Sequence, residues 1–438
     1  MKNTFKYVFI VSIAGFLMGF DSVVISGVNL PLKNLWQTSD WFHGAFIISM
    51  SLWGMVTGAL VGGYPTEKYG RKVTLILVGF LFAFSALGAA LSPSPYYFSF
   101  YRFIGGLAAG FASIAAPTYI SEISEAHNRG RLSMLYQFNI VFGILMAYFS
   151  NYLLKGVFAE NDWRLMLGIE FIPAILFAVL LFSVPKSPRW LQVCKAKADI
   201  DVPEEAVKSL TGAISNNLKK SSRFKLFSGK YNRPLLLSFL MAFFNQFSGI
   251  SFILFYAPEI FEKAGLGASE SLLSSISLGV VNLIFTFVGI YLIDRLGRKQ
   301  LMYLGSIGYI ISLSMVAVGF YFQMSPLFNL VFILLFIASH AVGQGAVIWV
   351  FIPEIFPTEI RSFGQAWGAG VLNMFAATIA LLGAVLINAF SPWFVFGLFA
   401  FFMVLQLLFT HYMMPETKGV PLEEIEQHIS RYRLKAKK

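Results

Sequence analysis

Between Tyr7 and Leu32 the chain runs for 26 residues with a single charged side chain, Asp21. As a helix, such a run covers a hydrocarbon core of about 30 Å at about 1.5 Å per residue. The pattern repeats along the chain. Trp41 to Thr66, Val73 to Ser121 (broken by Ser92-Pro93-Ser94-Pro95 and carrying Arg102), Leu132 to Leu154, and Leu165 to Pro185 with Glu170 complete six spans. Pro234 to Pro258 and Ser271 to Ile293 follow, then Gln300 to Pro353 and Ser362 to Pro415. The last two are 54 uncharged residues each, broken at Ser325-Pro326 and Ser391-Pro392, so six more spans are expected. Backbone polar groups in a bilayer must be satisfied within the protein, and runs of this length do so as helices. The expected fold is an all-α membrane protein of twelve transmembrane helices.

With 57% hydrophobic and 13% charged residues, the chain is too apolar for a water-soluble domain. Its net charge of +11 raises nucleic acid as a partner, but the positions of the charges answer it. With the N-terminus on the cytoplasmic side, 28 of the 33 Lys and Arg fall in cytoplasmic segments, four (Lys33, Lys155, Arg164, Lys263) fall outside, and Arg102 lies within the membrane. The excess is a topology signal, placing both termini in the cytoplasm of a multi-pass protein. The sole cysteine, Cys194, forms no intrachain disulfide, and no metal, haem or other cofactor spacing is present. The N-terminal run is longer than a signal-peptide core and has no A-x-A site, which predicts a retained first span.

The chain repeats itself. GGYPTEKYGRK (Gly62 to Lys72) recurs as GIYLIDRLGRK (Gly289 to Lys299) at an offset of 227. Glu122 and Arg129 recur as Glu354 and Arg361 at 232, and VPKSPRWL (Val184 to Leu191) is echoed by MPETKG (Met414 to Gly419) at 230. The expected organisation is a six-helix bundle over 1–185, a cytoplasmic helical linker over 186–233, a second bundle over 234–415 and a tail over 416–438. In parallel repeats of this kind the substrate site lies between the halves near the midplane. Residues 422–438 read as a short amphipathic helix with a basic end.

Counting helical rise places Asp21, Arg102 and Glu170 about 10–12 Å below the outer surface, at one level. Two acids and a base at one depth suit a shared proton: ionised Asp21 pairs with Arg102, neutral Asp21 releases it, and Glu170 positions the guanidinium. A purely structural ion pair is the alternative. In the repeated loops, Glu67, Arg71, Asp294, Arg295 and Arg298, joined by Glu122, Arg129, Glu354 and Arg361, are placed to form a cytoplasmic gate that breaks when the cavity opens inward.

These pieces resemble the sugar porter family of the major facilitator superfamily over nearly the whole chain. The motifs are GFDSVVISG, GGYPTEKYGRK, RFIGG with PTYISEISEAHNRGR, YQFNIVFG, WRLMLGIEFIPA, VPKSPRWL, NQFSGISFILFYAPEIF, GIYLIDRLGRK, GAVIWVFIPEIFPTEIRS and PETKG. The resemblance implies a central monosaccharide site and rocker-type alternating access in a monomeric functional unit embedded in lipid. It also implies a cytoplasmic-membrane location and, because coupled relatives carry a first-span acid, proton symport through Asp21 with Arg102 and Glu170 tuning it. Matching positions imply sugar contacts at Gln137, Asn245, Gln246, Ser251 and Trp349, and Asn373 stands where many relatives have tryptophan. Amides suit vicinal hydroxyls, since each offers a donor and an acceptor. Gly249 is expected to let the seventh helix bend.

The chain departs from the family pattern at Asn245, Ser251 and Phe255, at Glu67-Lys68 and at Lys186, where an acid is usual. The implied substrate is a hexose such as glucose, fructose or galactose, with a pentose or polyol, or uncoupled facilitation, as alternatives. A sugar sensor lacks support in the short tail, and no Ser/His or paired-acid arrangement supports an enzyme. None of His43, His127, His340, His411 and His428 has a partner assignable from sequence.

Overall fold

The computed structural model describes residues 2–125, 128–158, 161–198, 226–227, 229–357 and 360–420. Among the described residues twelve helices are long and apolar enough to span a membrane. They are α1 (Thr4–Gly27), α2 (Asp40–Val61), α3 (Arg71–Ala90), α4 (Pro95–Ile123), α5 (Leu132–Leu154), α6 (Asp162–Phe182), α7 (Asn232–Lys263), α8 (Ala268–Leu296), α9 (Arg298–Tyr321), α10 (Pro326–Glu354), α11 (Phe363–Ala389) and α12 (Pro392–Tyr412).

Three of the Ser-Pro steps that break the long runs act as helix starts, not as kinks. Pro95, Pro326 and Pro392 stand at the first helical positions of α4, α10 and α12, where the missing N–H has no helical partner to lose. Ser325 adds a cap, its Oγ accepting from the Phe328 amide. At the opposite ends, α2 turns into α3 through Gly70 (φ +90°) and α8 into α9 through Gly297 (φ +93°). Both conformations are open to glycine and strained for other residues.

The helices form two six-helix bundles. In the first, α1 packs on α5, α4 lies between α2 and α3, and α3 also meets α6. In the second, α9 packs on α10 and α12, α8 on α10, and α7 on α11. The bundles meet where α5 faces α8 and α2 faces α11. One difference from the sequence expectation is instructive. The seventh span continues five residues beyond Pro258 to Lys263, taking in Glu259 and Glu262, because it emerges at a polar end where charged side chains find partners. The linker begins as a helix, Pro188–Ala198; the helix expected over 203–210 and the amphipathic tail lie outside the described residues.

Among the described residues five spans are interrupted, and the breaks sit beside polar residues. α2 widens to a π-helix at His43–Ile48. α1 tightens to a 3-10 turn at Ile25–Gly27, α6 is split beside Glu170, and α10 is split at Gly343 beside Gln344. α7 is split into Asn232–Phe247 and Ile250–Lys263 by Gly249 at φ +86°. A side chain at Gly249 would be strained by that φ and would meet the Phe399 ring at 2.6 Å.

Candidate functional site

Asp21, four residues before the 3-10 turn of α1, is 1% exposed, and Arg102 of α4 is 2% exposed. Arg102 grips the acid twice: one terminal nitrogen donates to Asp21 Oδ1 at 2.5 Å and the other to the Asp21 carbonyl at 2.9 Å. Ser51 of α2 donates its Oγ to Asp21 Oδ2 at 2.7 Å. Three helices thus converge on one carboxylate, and the space for it is set by Gly105, where a Cβ would stand 3.1 Å from Oδ1. Desolvating both charges is offset only by such charge-assisted bonds.

Glu170, at the N-terminus of the second segment of α6, is 2% exposed and feels the charges of both Asp21 and Arg102. Neither group bonds it among the described residues: Glu170 Oε1 and Arg102 Nε are both buried without a hydrogen-bond partner. The structure therefore holds one satisfied acid and one spare acceptor around a single guanidinium. Loss of charge at Asp21 weakens one side of that balance.

A second cluster lies at the break in α7. Gln246 Nε2 donates to Asn245 Oδ1 at 2.9 Å, Ser251 Oγ donates to Gln246 Oε1 at 2.6 Å, and Ser248 Oγ donates to the Asn245 carbonyl at 2.6 Å. Asn245, Gln246 and Ser251 are thus brought together across the Gly249 hinge, and all three are buried. Gln137 on α5 and Asn373 on α11 are half-buried, and no bond joins them to this cluster among the described residues. Trp349 on α10 is 53% exposed, its indole left open. A cavity of about 350 Å³ lined by Phe84, Leu87, Leu91, Tyr97 and Tyr101 is an apolar groove that includes none of these amides.

The repeated loops build matching clusters. Arg71 donates from Nε and a terminal nitrogen to Glu122 Oε1 (3.1 and 2.8 Å) and from its other nitrogen to the Thr66 carbonyl, while Ser187 donates to Glu122 Oε2 at 2.5 Å. Arg298 donates to both oxygens of Glu354 (3.1 and 2.7 Å) and to the Ile293 carbonyl, and Thr417 donates to Glu354 Oε2 at 2.7 Å. Arginine and carbonyl shift by 227 between copies, the acid by 232 and the hydroxyl by 230, the offsets of the sequence repeat. Each cluster is built within its own half of the chain, so it braces a loop against that half's helices. Asp294 stands 3.7 Å from Arg298 and is largely exposed, Arg295 lies over the Tyr291 ring, and Arg361 Nε reaches the Phe356 carbonyl. The Glu67 carbonyl accepts from Trp190 Nε1. The Arg129 side chain lies outside the described residues.

The copies differ at Lys186, whose counterpart is Glu416. The Glu416 carboxylate accepts from the amides of Arg298, Lys299, Thr417 and Lys418, two of them at the start of α9. In the first copy Trp190 occupies this place: its ring lies 3.0 Å from where a Cβ on Gly70 would be, and Lys186 Nζ sits 5.8 Å from the ring centre. Glu416→Ala is expected to cost about 1–2 kcal/mol by stripping a cap from α9. Lys186→Ala is expected to change stability by less than about 0.5 kcal/mol. Thermal unfolding midpoints of the two variants in detergent check the contrast.

Sequence reasoning missed Ser51, Thr417 and the partners of three histidines. His340 Nδ1 meets Tyr309 Oη at 2.7 Å, His411 Nδ1 meets Tyr303 Oη at 2.9 Å, and His43 joins Asn29 and Thr38. These partners lie on other elements, and no spacing rule announces them. His127 and His428 lie outside the described residues.

The family of sugar (and other) transporters matches residues 7–429. The chain is 35% identical to the arabinose-proton symporter of Bacillus subtilis, over 97% of this chain and 96% of that one. It is 34% identical to the glucose transporter GlcP of Staphylococcus epidermidis, over 98% of each. In structure it resembles the inward open conformation of the xylose transporter XylE from Escherichia coli, with a TM-score of 0.83 and 29% identity over 97% of this chain and 99% of that one.

Proposed function

The chain belongs to the sugar (and other) transporter family, and from that premise we propose that it takes up a monosaccharide across the cytoplasmic membrane together with a proton, by alternating access. It is a transporter and not an enzyme. The observation that carries the coupling is the buried bond between Asp21 and Arg102, beside the unused acceptor of Glu170. Protonating Asp21 removes one charge of a buried pair and frees Arg102, so proton occupancy and the relation of α1 to α4 become linked. The sugar site is assigned to Asn245, Gln246 and Ser251 at the α7 hinge, with Gln137, Trp349 and Asn373 completing it from α5, α10 and α11. The braced loops of Arg71 with Glu122 and Arg298 with Glu354 carry the cytoplasmic ends of the two bundles as the cavity opens.

The basic excess assigns the face with these loops to the cytoplasm, with both termini there. The bundles are read as 1–185 and 234–415, joined by the linker 186–233 and followed by the tail 416–438, in a monomer. A hexose is the first substrate reading. An aldopentose is the second, favoured by the likeness to the arabinose-proton symporter. Uptake of labelled glucose, galactose, fructose, xylose and arabinose into proteoliposomes, with and without an inward proton gradient, tests both. Accumulation of one of them above equilibrium only with the gradient is the expected result. Equilibration unaffected by the gradient overturns symport, and uptake of none overturns the substrate class.

A further inference from the structure

The face away from the braced loops holds buried titratable groups that the mechanism above does not use. Asn29, at the start of the short helix Asn29–Trp36 after α1, donates Nδ2 to Glu259 Oε2 of α7 at 3.1 Å. Its Oδ1 lies 2.5 Å from His43 Nε2 of α2, and His43 Nδ1 lies 2.9 Å from Thr38 Oγ1. Asn29 is 2% exposed, His43 1% and Glu259 6%. The chain of bonds crosses from the first bundle to the second. Beside it Asp40 pairs with Lys33 and accepts from Asn388 of α11 at 3.0 Å, a second crossing.

The geometry accommodates a proton at either end. Asn29 gives its N–H to the acid and its carbonyl oxygen to the imidazole N–H, an arrangement that serves Glu⁻ with HisH⁺ and GluH with neutral His alike. Thr38 adapts as well, since its hydroxyl donates to a bare Nδ1 or accepts from a protonated one. With one proton the Glu259 and His43 pair has no net charge, the condition that burial favours. The other charged and titratable groups around the pair are Lys33, Asp40, Glu262, Lys263 and Tyr256, and Lys33 is already engaged with Asp40. Once the second bundle moves off Asn29, Glu259 and His43 meet water and no longer need to share.

We propose that Glu259, Asn29 and His43 form a proton-binding site at the outer face, distinct from Asp21, that takes up one proton when the outer face closes and releases it on opening. The site rests on the alternating-access reading above but not on the role of Asp21.

Hydrogen–deuterium exchange of segments 29–43 and 250–263 in the full chain, corrected for the intrinsic pH dependence of exchange, reads closure directly. The parent for this test carries Asp21→Asn, so that Asp21 contributes no pH dependence. Between pH 6 and 8 protection in the parent is expected to rise as pH falls, by up to about tenfold per unit for one linked proton. Glu259→Gln keeps the acceptor for Asn29 and Glu259→Ala removes it; each takes away the acid and is expected to abolish the rise in protection as pH falls, while protection elsewhere is retained. His43→Gln keeps the donor to Asn29 and leaves the proton to Glu259 alone, so the slope is expected to keep its sign and move to lower pH. If one Glu259 variant fails to fold, the other decides. A parent whose protection ignores pH, a folded Glu259 variant that keeps the parent's slope, or a His43→Gln protein whose profile matches the parent's, overturns the proposal. Should the slope behave as expected while sugar uptake ignores a proton gradient, symport fails and the outer site stands.

Discussion

Asp21→Asn is expected to abolish accumulation of sugar against its gradient while leaving exchange of sugar across the membrane measurable. Asparagine keeps an acceptor for Arg102 and an amide for the Ser51 hydroxyl, so the three-helix junction around Gly105 retains its shape. What it removes is the charge that Arg102 answers. Breaking one side of a buried pair costs about 3–5 kcal/mol when the other charge has no alternative. Here the replacing amide oxygen can still accept from one nitrogen of Arg102, and the backbone carbonyl at position 21 keeps the other, which lowers the loss. The variant should therefore fold and bind, yet have no proton to exchange at this position. Proteoliposomes with an imposed pH gradient provide the check: accumulation falls to the equilibrium ratio, and counterflow persists. A variant that still concentrates sugar under the gradient refutes the coupling role of Asp21.

Gln246→Ala is the second large effect. Gln246 is the middle of the side-chain run at the α7 break, donating to Asn245 and accepting from Ser251, and truncation leaves a buried acceptor and a buried hydroxyl unserved. A hydroxylated ligand that engages these amides loses both a donor and an acceptor. Sugar affinity is expected to fall roughly ten- to a hundredfold, at about 1.4 kcal/mol per factor of ten. Calorimetric titration of the purified variant measures it, and unchanged affinity would put the pocket elsewhere.

The spans were legible because hydrophobic run length is a local property, and the Ser-Pro steps marked helix starts because proline's lost amide is harmless there. The braced loops were legible for a different reason: a duplicated motif gives each copy a witness in the other. Asp21, Arg102 and Glu170 stood out because charge in a spanning run is expensive. Ser51 gave no such signal, since a serine in an apolar helix is common and its partner lies 30 residues away. Asn29 and Glu259, 230 residues apart, sit near the ends of their runs, where polar side chains are ordinary. Their significance comes only from the packing of α1, α2 and α7 against one another. The substitution of Lys186 for an acid was visible in sequence, but the packing of the Trp190 ring over Gly70 needed three-dimensional proximity.

The break at Gly249 gives α7 a fulcrum. Glu259 lies ten residues beyond it, past a second kink at Tyr256, at the end of a lever arm of up to about 15 Å. A swing of about 10° at the fulcrum carries the carboxylate about 2.6 Å, on the order of a full hydrogen-bond length and far outside the tolerance of such a bond. A rotation of that size at Gly249 is enough to break the bond between Asn29 and Glu259 that ties the two bundles at their rim.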